Sequence, residues 1–285
     1  MNYRHAFHAG NFADVVKHSV LALLIERLKA KDTAFRVIDT HAGVGVYDLT
    51  ADQAARTGEW RAGIGRIWDA PRQPAVDALL APYLAAVAAA NGAPAPAPLT
   101  RYPGSPWIAR HLFRRQDRLT AVELHPEDAA ALETLFAGDI QVRTIALDGW
   151  LALGAFVPPK ERRGLVLVDP PFEARDDFDT MLAAFVEAHR KWPTGIYALW
   201  YPVKDLAAVD RFRLGLARSG IRRLLRAELN VRDRNTAGTF NGASLVICNP
   251  PWQFASTLRD LLAGLVPVLA DGPGADHIID EIAGE

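Results

Sequence analysis

Leu165-Val166-Leu167-Val168-Asp169-Pro170-Pro171-Phe172 decides how this chain is read. A short apolar run of strand type ends in a carboxylate, two prolines and an aromatic ring. Ligands of open α/β sheets bind beyond the carboxyl ends of the strands, so an acid at such an end is a candidate for chemistry. The arrangement suits attack by an exocyclic aromatic amine, a poor nucleophile because its lone pair is delocalised into the ring. The Asp169 carboxylate and the Pro170 carbonyl can accept its two N–H bonds, restoring lone-pair character as a methyl group is attacked. The prolines stiffen the loop, and Phe172 offers a face for stacking the target base, worth roughly 1–3 kcal/mol.

The surrounding sequence has the matching architecture. From Leu119 onward, short apolar runs alternate with helical segments. Candidate strands are 119–124, 142–146, 164–169, 195–201, 223–231 and 243–249, with helices near 127–136, 178–191 and 206–219. Such alternation implies a mostly parallel sheet covered on both faces. The last two runs have no helix between them and predict an antiparallel hairpin at the sheet edge. Upstream, Asn11 is a plausible N-cap for an amphipathic helix over 11–31, and 35–39 is a first strand. Residues from about 52 to 90 are Ala-rich and helical in pattern, then give way to the alternating prolines Pro94, Pro96 and Pro98, which forbid helix.

The other strand ends contribute further candidates. The first runs into Asp39-Thr40-His41-Ala42-Gly43-Val44-Gly45, where Gly43 lets backbone approach a ligand closely. A dinucleotide fingerprint would need a third glycine, but Gly43-Val44-Gly45-Val46-Tyr47-Asp48 lacks it, which weakens a dehydrogenase reading. A methyl donor such as S-adenosylmethionine carries no phosphate and would need no pyrophosphate cradle. Glu123 can accept from both ribose hydroxyls of a nucleoside. Asp148 can accept from an adenine amine, with Gly149 leaving room for the ring. A second copy of the pattern, Asn249-Pro250-Pro251-Trp252, follows the last strand rather than the fourth and is expected to be structural.

Composition sets bounds. A chain of 285 residues, 50% hydrophobic, can bury a full-sized core. Its net charge of −1 argues against indiscriminate nucleic-acid binding. Positive charge is concentrated instead, in Arg110, Arg114, Arg115 and Arg118 and in Arg222, Arg223 and Arg226. Cys248 is the single cysteine, so disulfides and cysteine-rich metal sites are excluded. No uninterrupted apolar stretch of about 18 residues predicts a membrane span, and a monomeric cytoplasmic protein is expected. Near the N-terminus, Tyr3, His5, His8, Lys17 and His18 lack the carboxylate spacing of a metal site. They read better as a cap over the active site that grips an extruded nucleotide, with Lys17 reaching phosphate or a base edge. No metal is expected.

Taken together, the blocks Tyr3-Arg4-His5-Ala6-Phe7-His8-Ala9-Gly10-Asn11, Asp39-Thr40-His41-Ala42-Gly43, Tyr102-Pro103-Gly104-Ser105-Pro106, Glu123-Leu124-His125-Pro126, Asp169-Pro170-Pro171-Phe172 and Gly195-Ile196-Tyr197-Ala198-Leu199-Trp200-Tyr201-Pro202 resemble the RlmJ family of bacterial 23S ribosomal RNA adenine-N6 methyltransferases. The resemblance runs through nearly the whole chain. It implies a class I S-adenosylmethionine-dependent methyltransferase fold, Rossmann-like, with a mostly parallel sheet and an antiparallel last strand. The chain would then be a single domain, 1–285, carrying an inserted helical subdomain at 50–103. Carried over residue by residue, His18, His41, Ser105, Glu123, Asp148, Gly149 and Asp169 would contact the cofactor. Asp169 would also act on the target amine and Tyr3 would meet RNA, with His5 of the N-terminal cap expected beside it. The family usually has Tyr where this chain has Phe172, so the stacking face survives and a hydroxyl is lost. DNA adenine and protein amides share the same amine chemistry and remain alternative substrates.

Overall fold

The computed structural model describes residues 5–68 and 70–284. A 3₁₀ turn (His5–Phe7) leads into α1 (Phe12–Lys29), β1 (Arg36–Asp39) and β2 (Val46–Asp48). Next come α2 (Asp52–Thr57), α3 (Ile64–Trp68), α4 (Pro74–Asn91), β3 (Arg101–Pro103) and α5 (Ser105–Leu112). An alternating stretch follows: β4 (Arg118–Glu123), α6 (Pro126–Leu135), β5 (Val142–Ala146), α7 (Gly149–Ala155), β6 (Gly164–Val168), α8 (Asp177–Lys191), β7 (Ile196–Val203) and α9 (Leu206–Arg218). The chain closes with β8 (Leu224–Asn230), β9 (Gly242–Cys248), α10 (Phe254–Leu269) and β10 (Asp276–Ala283).

The main sheet runs β5-β4-β1-β6-β7-β9-β8-β10. Pairing is parallel from β5 through β7 and antiparallel on both sides of β9. Strand order reverses at β1, whose neighbours are β4 and β6, so a crevice opens beyond the carboxyl ends of β1 and β6. Side chains alternate across the pleat. Val37, Leu165 and Leu167 join one core with α1, α5 and α10, while Ile38, Val166 and Val168 join the other beneath α8 and α9. Full burial of each such side chain contributes roughly 1.5–3 kcal/mol, enough to fix which residue ends each strand.

Three sequence expectations change. The hairpin β8–β9 is not at the edge, because β10 pairs antiparallel with β8 outside it. Charged β10 survives there because its acids are matched: Asp280 accepts from Arg226 at 2.7 Å and Asp276 from Asn230 at 2.8 Å. Helix α1 is not simply amphipathic, since Ala13 through Ile25 are buried between the sheet and α4, α5 and α10. Its N-cap is Asn11, whose side-chain oxygen accepts from Ala13 N and Asp14 N, both at 3.0 Å. The Ala-rich stretch is divided rather than continuous, with Gly58 at φ +61° closing α2 in the left-handed region. Helix α4 is long and apolar enough, by length and composition alone, to cross a membrane. One face of it (Val76, Leu80, Tyr83, Val87) is nevertheless built into the protein core.

Candidate active site

A cavity of about 600 Å³ occupies the crevice. It is walled by the loops after β1, β4, β5 and β6, by α1, and by His5 and His8. His18, His41, Gly43, Ser105, Glu123, Asp148, Gly149, Asp169, Pro170 and Phe172 all line it, as do His5 and Lys17. Tyr3 lies outside the described residues.

Gly43, at φ +62°, adopts a turn that residues with a Cβ rarely take. Its amide donates to Glu123 Oε2 at 2.8 Å, while Glu123 Oε1 accepts from His125 N at 2.8 Å. Each carboxylate oxygen is thus oriented by one backbone donor and keeps a lone pair for a diol. Beside it Leu124, 46% exposed, presents an apolar shelf to the cavity. Asp148 caps α7, its Oδ1 accepting from Trp150 N at 2.7 Å and Leu151 N at 3.3 Å. The reason for Gly149 differs from the sequence expectation. A Cβ there would lie 2.3 Å from the Thr40 carbonyl and 2.6 Å from the His41 ring, so the missing side chain makes room for the β1 loop.

The deep end of the cavity is polar. His18 is 1% exposed, with Nδ1 at 2.8 Å from the Tyr102 hydroxyl. Burial pushes its pKa down to about 3, against the pull of Asp14, so the imidazole is neutral. Enclosure likewise pushes His41 down to about 4 against Asp169 and Asp148, although part of its ring is open to the cavity. Thr40 Oγ1 lies 2.9 Å from His41 Nδ1 and fixes the ring from the strand side. Asp39 is buried, bonded to Ser105, and raised to about 7 by burial and then by Asp169. Its Oδ2 has no protein partner among the described residues. The neutral imidazoles of His18 and His41 and the Ser105 hydroxyl, all lining the cavity, suit an amino-acid headgroup. The Glu123–Leu124 wall suits an adenosine. The donor set therefore fits S-adenosylmethionine.

Asp169 stands where β6 enters the cavity, held by the ammonium of Lys17 from α1. Lys17 is 3% exposed and also pairs with Asp14 at 2.8 Å. Burial opposes its charge, but Asp14 and Asp169 outweigh that and hold the ammonium above its ordinary pKa. Lys17 therefore does not reach for phosphate, as the sequence had suggested: its charge is spent on two carboxylates. Asp14, which the sequence reading passed over, also accepts from His5 Nε2 at 2.9 Å and Gly10 N at 2.8 Å. Burial alone would raise it, yet His5 and Lys17 hold it well below its ordinary value. The signal was its place three residues before Lys17, on the same face of a buried helix. Phe172 takes φ +51°, uncommon for a bulky residue, and its ring is wedged 4.8 Å from Phe178 and 5.9 Å from Trp200. Trp200, also missed, carries the Lys17 ammonium 5.6 Å over its ring.

The second proline motif falls at the other end of the sheet. Because β9 is antiparallel to β7, Cys248 pairs with Tyr197 near the start of that strand. Asn249 Nδ2 donates to the Pro193 and Gly195 carbonyls, both at 2.8 Å.

This strand order, with a nucleoside-fitting crevice at its reversal, defines the class I methyltransferase fold. A Corynebacterium glutamicum protein described as "a probable spermidine synthase" shares that fold, with a TM-score of 0.52 at 13% identity over 95% of this chain and 75% of its own. The family described as "Ribosomal RNA large subunit methyltransferase D, RlmJ" matches residues 32–279, and the chain belongs to it. The ribosomal RNA large subunit methyltransferase J of Haemophilus influenzae is 41% identical over 276 residues, covering 96% of each chain. Its Escherichia coli counterpart is 42% identical over 265 residues, 93% of this chain and 92% of that one. The crystal structure of protein LPL1258 from Legionella pneumophila superposes with a TM-score of 0.85 at 33% identity, covering 96% of this chain and 98% of that one.

Proposed function

We propose that this protein transfers a methyl group from S-adenosylmethionine directly to N6 of an adenine in 23S ribosomal RNA. The observation that carries the reading is Asp169, aimed into the crevice and held there by a buried lysine beside an aromatic ring. When bound, the cofactor supplies an electrophilic methyl on a sulfonium sulfur. Glu123 would accept from its ribose diol and Asp148 from its adenine amine, with Leu124 offering an apolar face to the ring. Gly43 and Gly149 shape the walls, and His18, His41 and Ser105 hold the amino-acid end together with Asp169.

The target base enters unpaired or flipped, because N6 is engaged in a duplex. Phe172 stacks it, His5 lies beside the nucleotide, and Tyr3 is the RNA contact that the resemblance implies. Asp169 accepts one N–H of the amine and the Pro170 carbonyl the other, so the nitrogen lone pair faces the methyl carbon. Methyl transfer would leave a surplus proton on N6, which Asp169 would take along its hydrogen bond and pass to solvent. Lys17 holds Asp169 fixed in orientation. Positioning and electrostatics supply the acceleration. We further propose that residues 1–285 form one unit with an inserted helical subdomain at 50–103, acting as a cytoplasmic monomer.

The test incubates the purified protein and labelled cofactor with protein-free 23S RNA, assembled large subunits and DNA, followed by nucleoside mass spectrometry. N6-methyladenosine in 23S RNA is the expected product. Transfer to DNA alone, or to another atom of the base, would overturn the assignment.

A further inference from the structure

Arg223, from the second arginine cluster seen in the sequence, meets the unused Asn-Pro-Pro-Trp motif at the pole opposite the crevice. The sheet register explains why. Arg36 is paired with both Arg118 and Gly164 at the amino ends of their strands, and Leu224 pairs with Cys248 there. At this pole Arg27, Lys31, Arg163, Arg223 and Trp252 line a groove of about 630 Å³.

The cations are not cancelled locally. Arg27 donates to Thr257 Oγ1 at 3.1 Å, Arg163 to the Thr33 carbonyl at 2.9 Å, and Arg223 to the Pro250 carbonyl at 3.3 Å, all neutral acceptors. The nearby acids are paired with other cations, Asp117 alone also acting on Arg163. Glu26 pairs with Lys29 at 2.6 Å, Glu161 with Arg36 at 2.8 Å, and Asp117 with Arg114 at 3.0 Å, with Asp32 also acting on Arg114. In a chain of net charge −1 this is a concentrated positive field. On its rim Trp252 is 84% exposed. It is presented rather than loose: Asn249 pins the preceding turn and Phe254, buried two residues later, anchors α10.

We infer that this pole is a second RNA-docking surface, on which an unpaired base stacks on Trp252 while flanking phosphates lie against Arg27, Lys31, Arg163 and Arg223. The inference rests on RNA being the substrate. Exposed aromatic faces among cations are the elements that hold single strands without reading sequence. Gly164 and Asp169 bracket β6, whose five residues separate the groove from the reacting centre by about 17 Å. The docked segment is therefore a different stretch of RNA from the one that presents the adenine. The groove would serve affinity for the whole substrate and leave the chemical step alone.

The experiment compares wild type, Trp252→Ala, Trp252→Phe and Arg27→Gln/Lys31→Gln, each checked for an unchanged melting temperature. Binding across a salt series and steady-state methylation are measured on a long 23S RNA fragment and on a short oligonucleotide that fills only the crevice. Trp252→Ala should weaken the long RNA by roughly 5- to 100-fold, through KM with kcat unchanged, and Trp252→Phe should restore most of it. The double charge variant should flatten the slope of log K against log salt by about 1.4. The short oligonucleotide should not distinguish the variants. Equal long-RNA affinity in all variants would overturn the inference. So would weakened binding to protein-bearing subunits with naked RNA unaffected, which would assign the groove to a protein. If wild type methylates no RNA, the substrate reading fails first, and this inference with it.

Discussion

Replacing Asp169 by Asn separates catalysis from folding at one atom. The amide keeps the shape of the side chain but loses the charge that accepts from the target amine. Losing one preorganised electrostatic partner in an active site costs about 100- to 1000-fold in rate, and a comparable loss in single-turnover methyl transfer is expected. Stability should suffer less. A buried charge stripped of its only partner costs about 3–5 kcal/mol, but Lys17 retains Asp14 at 2.8 Å. The expected loss is about 1–2 kcal/mol, a melting shift of a few degrees for a chain of this size. Asp14→Asn should invert the pattern, because Asp14 also secures Gly10 N and His5, and its loss loosens the helix start and the N-terminal turn together. The assays are rapid-quench transfer to protein-free RNA at saturating cofactor, and calorimetry on the same preparations. A folded Asp169→Asn protein working within tenfold of wild type would refute the catalytic assignment.

Burial of His18 and Asp39 makes stability respond to pH with opposite signs. His18 falls from 6.5 to about 3, so its contribution is full above pH 6.5 and is lost as pH drops towards 3, by up to about 1.4 kcal/mol per unit. Asp39 rises from 3.8 to about 7, so its contribution is full below 3.8 and is lost as pH climbs to 7. Between pH 4 and 6.5 the two offset. Urea unfolding should show His18→Asn gaining stability relative to wild type on acidification and Asp39→Asn losing it; parallel curves would contradict both assignments. Gly149→Ala forces a Cβ to within 2.3 Å of the Thr40 carbonyl, and the adjusted loop should lower stability by about 1–3 kcal/mol and weaken cofactor binding in calorimetric titration. Phe172→Ala should raise KM for RNA by roughly 5- to 100-fold through lost stacking, while Phe172→Tyr stays near wild type; an unchanged KM in the alanine variant would remove the stacking role.

What the sequence disclosed follows from where strands end. Buried apolar runs flanked by helices fix the parallel core, and a charged residue just past such a run has few places to be except the crevice. Asp169 and Glu123 were legible for that reason. Asp14 was not, and Lys17 was placed at the site with the wrong partner, because both sit inside a helix that reads as amphipathic until tertiary packing covers its polar side as well. Only the folded chain shows the ammonium closing a bridge from α1 to β6. Strand β10 escaped notice because its acids look like a solvated tail until Arg226 and Asn230 meet them. Gly149 was singled out correctly for closeness, yet the neighbour it accommodates is a loop more than a hundred residues earlier.

The two Pro-Pro motifs show how far local chemistry goes and where topology takes over. Each follows an apolar strand, and each begins with a side chain able to accept a hydrogen bond. Strand direction assigns them different work. Parallel β6 delivers Asp169 into the crevice beside a buried lysine. Antiparallel β9 delivers Asn249 to the opposite pole, where its amide is consumed by the Pro193 and Gly195 carbonyls. An amide with both donor bonds already committed to backbone fixes a turn, and the residue that turn displays, Trp252, becomes the feature with a surface to offer. One motif is thus read through its acid and the other through its aromatic, and the difference is set by the sheet.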